Sequence, residues 1–238
     1  MSWRSAAGTA TAPTTKPALA YGIMSSRDSS IGSDVDALVK VIVVETGLAL
    51  LDNPYGPLSD SRATTRQNNL RAYLDWAVEA RPSVMWLAEA PGVGGITRTG
   101  VPMIPEDRFE SFRSFTGCQL CRLEGEPVAS PATAHWIWEE LERAGSMPVL
   151  WNAVVHHPHP VGRSDANRRP TITEIDHFTP VLIAVAAAAG VERIVAIGRV
   201  AQRAAERVPR VDVEPVRHPA QGGLGEFRRQ VRALRVGR

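Results

Sequence analysis

One short stretch limits the folds open to this chain more than any other. The apolar run Val84-Met85-Trp86-Leu87-Ala88 is short and continuous, which reads as a buried strand. It stops at Glu89-Ala90-Pro91-Gly92-Val93-Gly94-Gly95, a carboxylate followed by proline and three glycines within four positions. Glycine lets backbone N–H groups come close to a ligand, and open α/β sheets bind ligands just beyond the carboxyl ends of their strands.

The pattern recurs along the chain. Met147–Trp151 reads as a second strand delivering Asn152, and Arg193–Ile197 as a third leading into Gly198-Arg199. Val211–Val216 is a fourth, followed by Arg217-His218-Pro219 and Gly222-Gly223. Helical spacing fills the intervals. Val35, Leu38, Val39, Ile42 and Val43 follow a cap at Ser33 and end near the breaker Asn53-Pro54-Tyr55-Gly56-Pro57. Arg62–Ala80 carries Leu70, Tyr73, Leu74 and Ala77 on one face. Further helices are expected over Glu106–Phe115, Pro131–Ala144 (Trp136, Ile137 and Leu141 inward), Thr173–Ala189, Arg199–Arg207 and Gly225–Arg235, with Glu174 in a first turn. Cys118–Ser130 reads as an irregular connection, and the loop from His156-His157-Pro158-His159-Pro160 to Asn167-Arg168-Arg169-Pro170 as polar and stiffened by proline. Residues 1–32, rich in Ala, Thr, Ser and Pro, read as a disordered tail, which leaves 33–238 as a single α/β domain. Strand–helix alternation predicts a parallel sheet with helices on both faces. Glu89, Asn152, Gly198 and His218 should then share one edge of it.

Bulk properties restrict the partners. The chain has 238 residues and a formal net charge of +2, so it is no polycation. From residue 161 onward, however, fourteen Arg face eight Asp and Glu, a surplus that suits a phosphate-facing side. The two cysteines, Cys118 and Cys121, are too few for a four-thiolate metal or iron–sulfur site and read as free thiols of a reducing compartment. His156, His157 and His159 lack regular spacing and a nearby carboxylate, so no metal is expected there. No window reaches the ~18 apolar residues of a membrane span; the closest, Val181–Val191, reads as a buried helix. No secretory leader opens the sequence, so a cytoplasmic monomer without membrane contact is expected.

The converging side chains suit one kind of chemistry. An Asn amide presents a donor beside an acceptor, which matches a pyrimidine edge. An imidazole at position 218 can donate to a developing oxyanion, and Glu89 can position water or stabilise a nearby cation. Together they suit hydrolysis of the bond between a sugar, which becomes cationic, and a base, which leaves as an anion.

Several short motifs appear in one order: Glu89-Ala90-Pro91-Gly92, Thr99-Gly100-Val101-Pro102, Trp151-Asn152-Ala153, Asn167-Arg168-Arg169-Pro170, Ala196-Ile197-Gly198-Arg199 and His218-Pro219-Ala220, with Asn53-Pro54-Tyr55 and Asn69-Leu70 upstream. Together they resemble the uracil-DNA glycosylase superfamily, in particular its bacterial members built on a G-E-A-P-G motif, over about residues 50–230. The resemblance implies a three-layer α/β/α sandwich on a four-stranded parallel sheet, and excision of uracil from single- or double-stranded DNA without a cofactor. It casts Glu89 as the residue acting on the water or sugar cation, Asn152 as the uracil reader and His218 as donor to uracil O2. It further implies a substrate pocket involving Ala90, Pro91, Gly92 and Met103. The implied DNA face draws on Gly94, Arg168, Arg169, Arg199, Arg217, Gly222 and Gly223, with Leu224 as a candidate wedge.

Four features depart from that pattern. Ala88 stands where the motif begins with Gly. Met103 replaces a base-stacking Phe, a role open to Phe109. The thiols cannot form the four-Cys cluster of the better-known members, and Gly92 stands where uracil-specific enzymes carry a thymine-excluding Tyr. A second reading is therefore a protein of the same fold that binds uracil-containing or abasic DNA without turnover. A nucleotide-phosphate hydrolase is disfavoured, because no P-loop Lys-Ser/Thr follows the glycines.

Overall fold

A computed structural model describes residues 34–44, 46–56, 61–125, 128 and 131–234; the expected tail over 1–32 lies outside them. The first elements are α1 (Val35–Val43), β1 (Leu51–Asp52), α2 (Ser61–Ala80), β2 (Val84–Ala88) and α3 (Ile96–Thr99). A 3-10 turn (Glu106–Arg108) leads into α4 (Phe109–Thr116), then come α5 (Ala132–Ala144), β3 (Val149–Asn152) and β4 (His157–Pro158). The chain closes with α6 (Ile172–Ala189), β5 (Arg193–Ile197), α7 (Arg199–Ala205), β6 (Asp212–Val216) and α8 (Leu224–Ala233).

The four apolar runs pair in parallel in the order β3-β2-β5-β6. Every residue of β3, and Val84–Leu87 of β2, is buried. The outer strand β6 is buried only at Val216 and carries the exposed Pro215, as suits an edge position. Helices α1, α2 and α6 pack on one another, and α7 lies on β2, β5 and β6. On the other side α5 packs on α8, whose Phe227 meets Trp86 edge-on at 6.3 Å. The result is a three-layer α/β/α sandwich.

The opposite edge of the sheet is closed by a side chain. The Tyr73 hydroxyl donates to the Leu150 carbonyl (2.8 Å) and accepts from its N–H (2.7 Å), where a further strand would otherwise bind. Tyr73→Phe strands both buried backbone groups, so a loss of about 2 kcal/mol is expected in denaturant unfolding. An unchanged midpoint would remove Tyr73 from that role.

Some expectations shift. Ser33 lies outside the described residues, and the cap of α1 is Asp34, whose carboxylate accepts from the N–H groups of Asp36 and Ala37. In α5 the buried face is Ile137, Trp138 and Leu141, while Trp136 is half-buried. The β1–β4 ribbon and the single turn of α3 had no sequence signal. The first is two residues per strand, and the second lies in a glycine-rich loop. Among the described residues α6 is the one helix long and apolar enough to cross a membrane by length and composition, contrary to expectation. Ile175, Phe178, Leu182 and Val185 on it are core residues. Its first turn is a capping box, with Glu174 and Thr171 bonded reciprocally.

Candidate active site

Parallel register decides where the polar residues emerge. Ala88 lies opposite Asn152, and the ladder runs on past the strands: Ala153 N–H donates to Ala88 C=O (2.9 Å) and Val154 N–H to Glu89 C=O (3.2 Å). On the far side Ile197 lies opposite Val216, and Gly198 N–H donates back to Val216 C=O (2.9 Å). Asn152, Glu89, Gly198 and His218 therefore stand at one carboxyl edge, in sheet order. Strands are ~4.8 Å apart, so the strands bearing Glu89 and His218 are about 10 Å apart.

Each of the three side chains is prepared differently. Asn152 is 3% exposed, and its amide has no hydrogen-bond partner among the described residues. Glu89 is partly buried with the Arg169 guanidinium 3.9 Å away; burial pushes its carboxyl pKa up, and the Arg169 charge opposes this. The His218 Nδ1 accepts from Ala220 N–H (3.2 Å), which puts the proton of the neutral ring on Nε2. Burial, with help from the Arg217 charge, holds its pKa below the usual histidine value. Backbone packs closely around this imidazole. A Cβ at Gly198 would lie 3.2 Å from His218 Cβ, and one at Gly223 only 2.1 Å from the His218 carbonyl oxygen. Ala220, which sets the tautomer, carries no signal in its own side chain; only its place two residues after the histidine points to it.

The glycine loop borders Glu89. Ala90 and Gly92 are half-buried and Pro91 is buried. Gly94 has φ +82°, and Gly95 N–H closes a turn on Gly92 C=O (3.0 Å). Met103 is half-buried with φ +55°, and its carbonyl accepts from Trp138 Nε1 (2.8 Å). The turn before it is fastened by Tyr55, which donates to Gly100 C=O (2.9 Å), and by buried Asn69, which donates to Thr99 C=O (2.8 Å). Phe109 lies in the core.

Two of the expected DNA contacts have other occupations. The Arg168 guanidinium makes a two-pronged pair with Glu174 (2.5 and 2.9 Å) and donates to the carbonyls of His159, Leu50 and Arg169, so no face is left for a phosphate. Leu224 begins α8 partly buried against the core rather than projecting as a wedge. Arg169 is 72% exposed, and the exposed guanidinia of Arg199 and Arg217 have no partner among the described residues. The tip of the last loop is exposed at Gln221 and Gly222, while Gly223 is buried.

The histidine-rich loop is structural. His156 donates from Nε2 to Ile42 C=O (3.1 Å), and burial drives its pKa down to about 4. His159 faces Asp52 at 3.2 Å, a carboxylate distant in sequence. No group of three or more His, Cys, Asp or Glu able to hold a metal occurs among the described residues. Both thiols are free.

No protein-family model matches the chain, and no curated protein matches it. In fold it is similar to the crystal structure of wild-type Pedobacter heparinus SMUG2, with a TM-score of 0.56 at 11% identity over 84% of this chain and 94% of that one. The chain thus shares the α/β/α fold of that structure, with Glu89, Asn152 and His218 at the carboxyl ends of three of its strands.

Proposed function

We propose that this protein is a DNA glycosylase that takes a uracil extruded from DNA and hydrolyses its N-glycosidic bond, leaving an abasic site. The observation that carries the reading is the Asn152 amide at the sheet edge, on a residue only 3% exposed and without a hydrogen-bond partner among the described residues. Its donor and acceptor are both unspent within the protein, and the imide edge of uracil matches the pair. As the bond breaks, His218 Nε2–H stabilises the charge growing on the base oxygen. Glu89, poorly screened by water where it sits, stabilises the sugar cation or orients the attacking water. Arg169, Arg199 and Arg217 hold the phosphates on either side. Flipping costs a few kcal/mol, least in single strands or mismatches, so single-stranded uracil and U·G should be cut at least as well as U·A. Alkali cleavage of a labelled uracil oligonucleotide after incubation with the protein tests the reading. An intact strand at high protein concentration, with the DNA retained in a gel shift, would replace it with the binding-only alternative.

The pH dependence follows from the two shifts. The active form has Glu89 ionised and His218 neutral. Both conditions fail as pH falls, through a carboxyl raised above 4.5 and an imidazole lowered below 6.5. Single-turnover rate should therefore be flat near neutrality and lost on the acid side. Arg169→Ala removes a charge that opposes the upward shift of the Glu89 carboxyl, so the acid limb should move to higher pH. An unmoved limb would detach Glu89 from it.

A further inference from the structure

We propose that His157 and Asn167 are positioning residues that fix the Pro91-Gly92-Val93 segment beside Glu89 in its working geometry. The backbone bonds that splint the exit of β2 onto β3 end at the Glu89 carbonyl. Beyond that point two side chains take over. His157 donates from Nδ1 to Pro91 C=O (3.0 Å), and the Asn167 Oδ1 accepts from Val93 N–H (2.9 Å). Between the two, a Cβ on Gly92 would lie 3.4 Å from the Asn167 amide nitrogen, so that amide covers the open face of the glycine.

Two features separate this from ordinary loop packing. His157 is 1% exposed, and its Nε2 is buried with no partner among the described residues. An apolar side chain of similar size would avoid that unsatisfied acceptor, so what explains an imidazole here is the bond made by Nδ1. Both holders also come from one connection whose own base is rigid. Its β4 strand pairs with β1, Arg168 N–H donates to Pro158 C=O (3.2 Å), and the Arg168 guanidinium ties the connection to Glu174 and Leu50. Arg168, set aside above as a phosphate ligand, is thereby the fastening that lets residues 157 and 167 act as fixed points.

The inference rests on the glycosylase reading for its catalytic readout, and a second readout is independent of it. With uracil-containing DNA, His157→Leu is expected to lower kcat about tenfold or more with KM within about threefold, as for a reacting group displaced by a fraction of an ångström. His157→Asn, whose amide places an N–H near the Nδ1 position, should recover most of that loss. Asn167→Ala, a change at an exposed side chain that leaves folding intact, should also lower kcat, and Asn167→Asp, which keeps the acceptor, should not. Amide exchange at Val93 should quicken about tenfold in Asn167→Ala and stay slow in Asn167→Asp, whatever the activity. Full turnover by both His157→Leu and Asn167→Ala in an otherwise active enzyme, or Val93 exchange unchanged in Asn167→Ala, would overturn the proposal. A wild-type protein that cuts no uracil DNA overturns the glycosylase reading instead, and Val93 exchange still decides whether the clamp exists.

Discussion

His218→Ala is expected to lower turnover on uracil-containing DNA by about 10²–10³-fold, the usual cost of deleting a single donor to a developing oxyanion. The hydrogen bond from Ala220 N–H occupies Nδ1, so the only proton the neutral ring can offer points from Nε2. Burial and the Arg217 charge both disfavour the imidazolium, which keeps this neutral form in place at pH 7. In the proposed reaction the donor is therefore set before substrate arrives. The replacement series is informative: a glutamine amide reaches the Nε2 position and an asparagine amide the Nδ1 position, so His218→Gln should retain more activity than His218→Asn. Single-turnover rates with a labelled oligonucleotide measure all three. An alanine variant at the wild-type rate, or asparagine outperforming glutamine, would remove the Nε2 donor from the mechanism.

The fold was legible where burial is complete and opaque where elements are short. β2 and β5, Val84–Ala88 and Arg193–Ile197, coincide with the strands read from the apolar residues 84–88 and 194–197, because strands in the middle of a parallel sheet are covered on both faces and their sequence shows it. The β1–β4 ribbon is different. His157-Pro158 has no strand-like composition, and its pairing with Leu51-Asp52 comes from where the sheet edge and α1 bring the two segments. On α5 Ile137 and Leu141 face inward as expected, but Trp138 rather than Trp136 is buried with them; its indole N–H reaches the Met103 carbonyl, a contact no local pattern encodes.

At the site, residues placed by strand ends were readable and residues placed by side-chain networks were not. Register alone carries Asn152 beside the exit of β2 and Gly198 beside the approach to His218. Arg168 and Arg169 look equivalent in sequence, yet one is drawn inward by Glu174 and three carbonyls while the other faces Glu89. Glu174 lies six residues on, and only the capping box of α6 turns its carboxylate towards Arg168. His157 and Asn167 were equally hidden, because their partners are the backbone groups of Pro91 and Val93, more than sixty residues away.

In the proposed reaction Gly223→Ala is expected to reduce turnover by about 10²-fold without altering any reacting group, because a displacement near 1 Å at a catalytic side chain costs about that much. The φ of −82° at Gly223 suits any residue, so the difficulty is contact rather than torsion. A Cβ there would sit 2.1 Å from the His218 carbonyl oxygen and must be cleared by about 1 Å before the contact is tolerable. Neither side yields freely. Helix α8 is anchored by fully buried Phe227 against Trp86. The His218 side chain is backed by Gly198, where a Cβ would already lie 3.2 Å from its own. Overpacking of this kind destabilises by about 1–3 kcal/mol. Gly222→Ala supplies the contrast: with φ +75° and no atom within 4 Å, it meets backbone strain but nothing near His218. It should cost about 1 kcal/mol of stability and leave turnover close to wild type. If the two variants lose activity equally, or Gly223→Ala keeps full turnover, the His218 main chain is not what holds the donor in place.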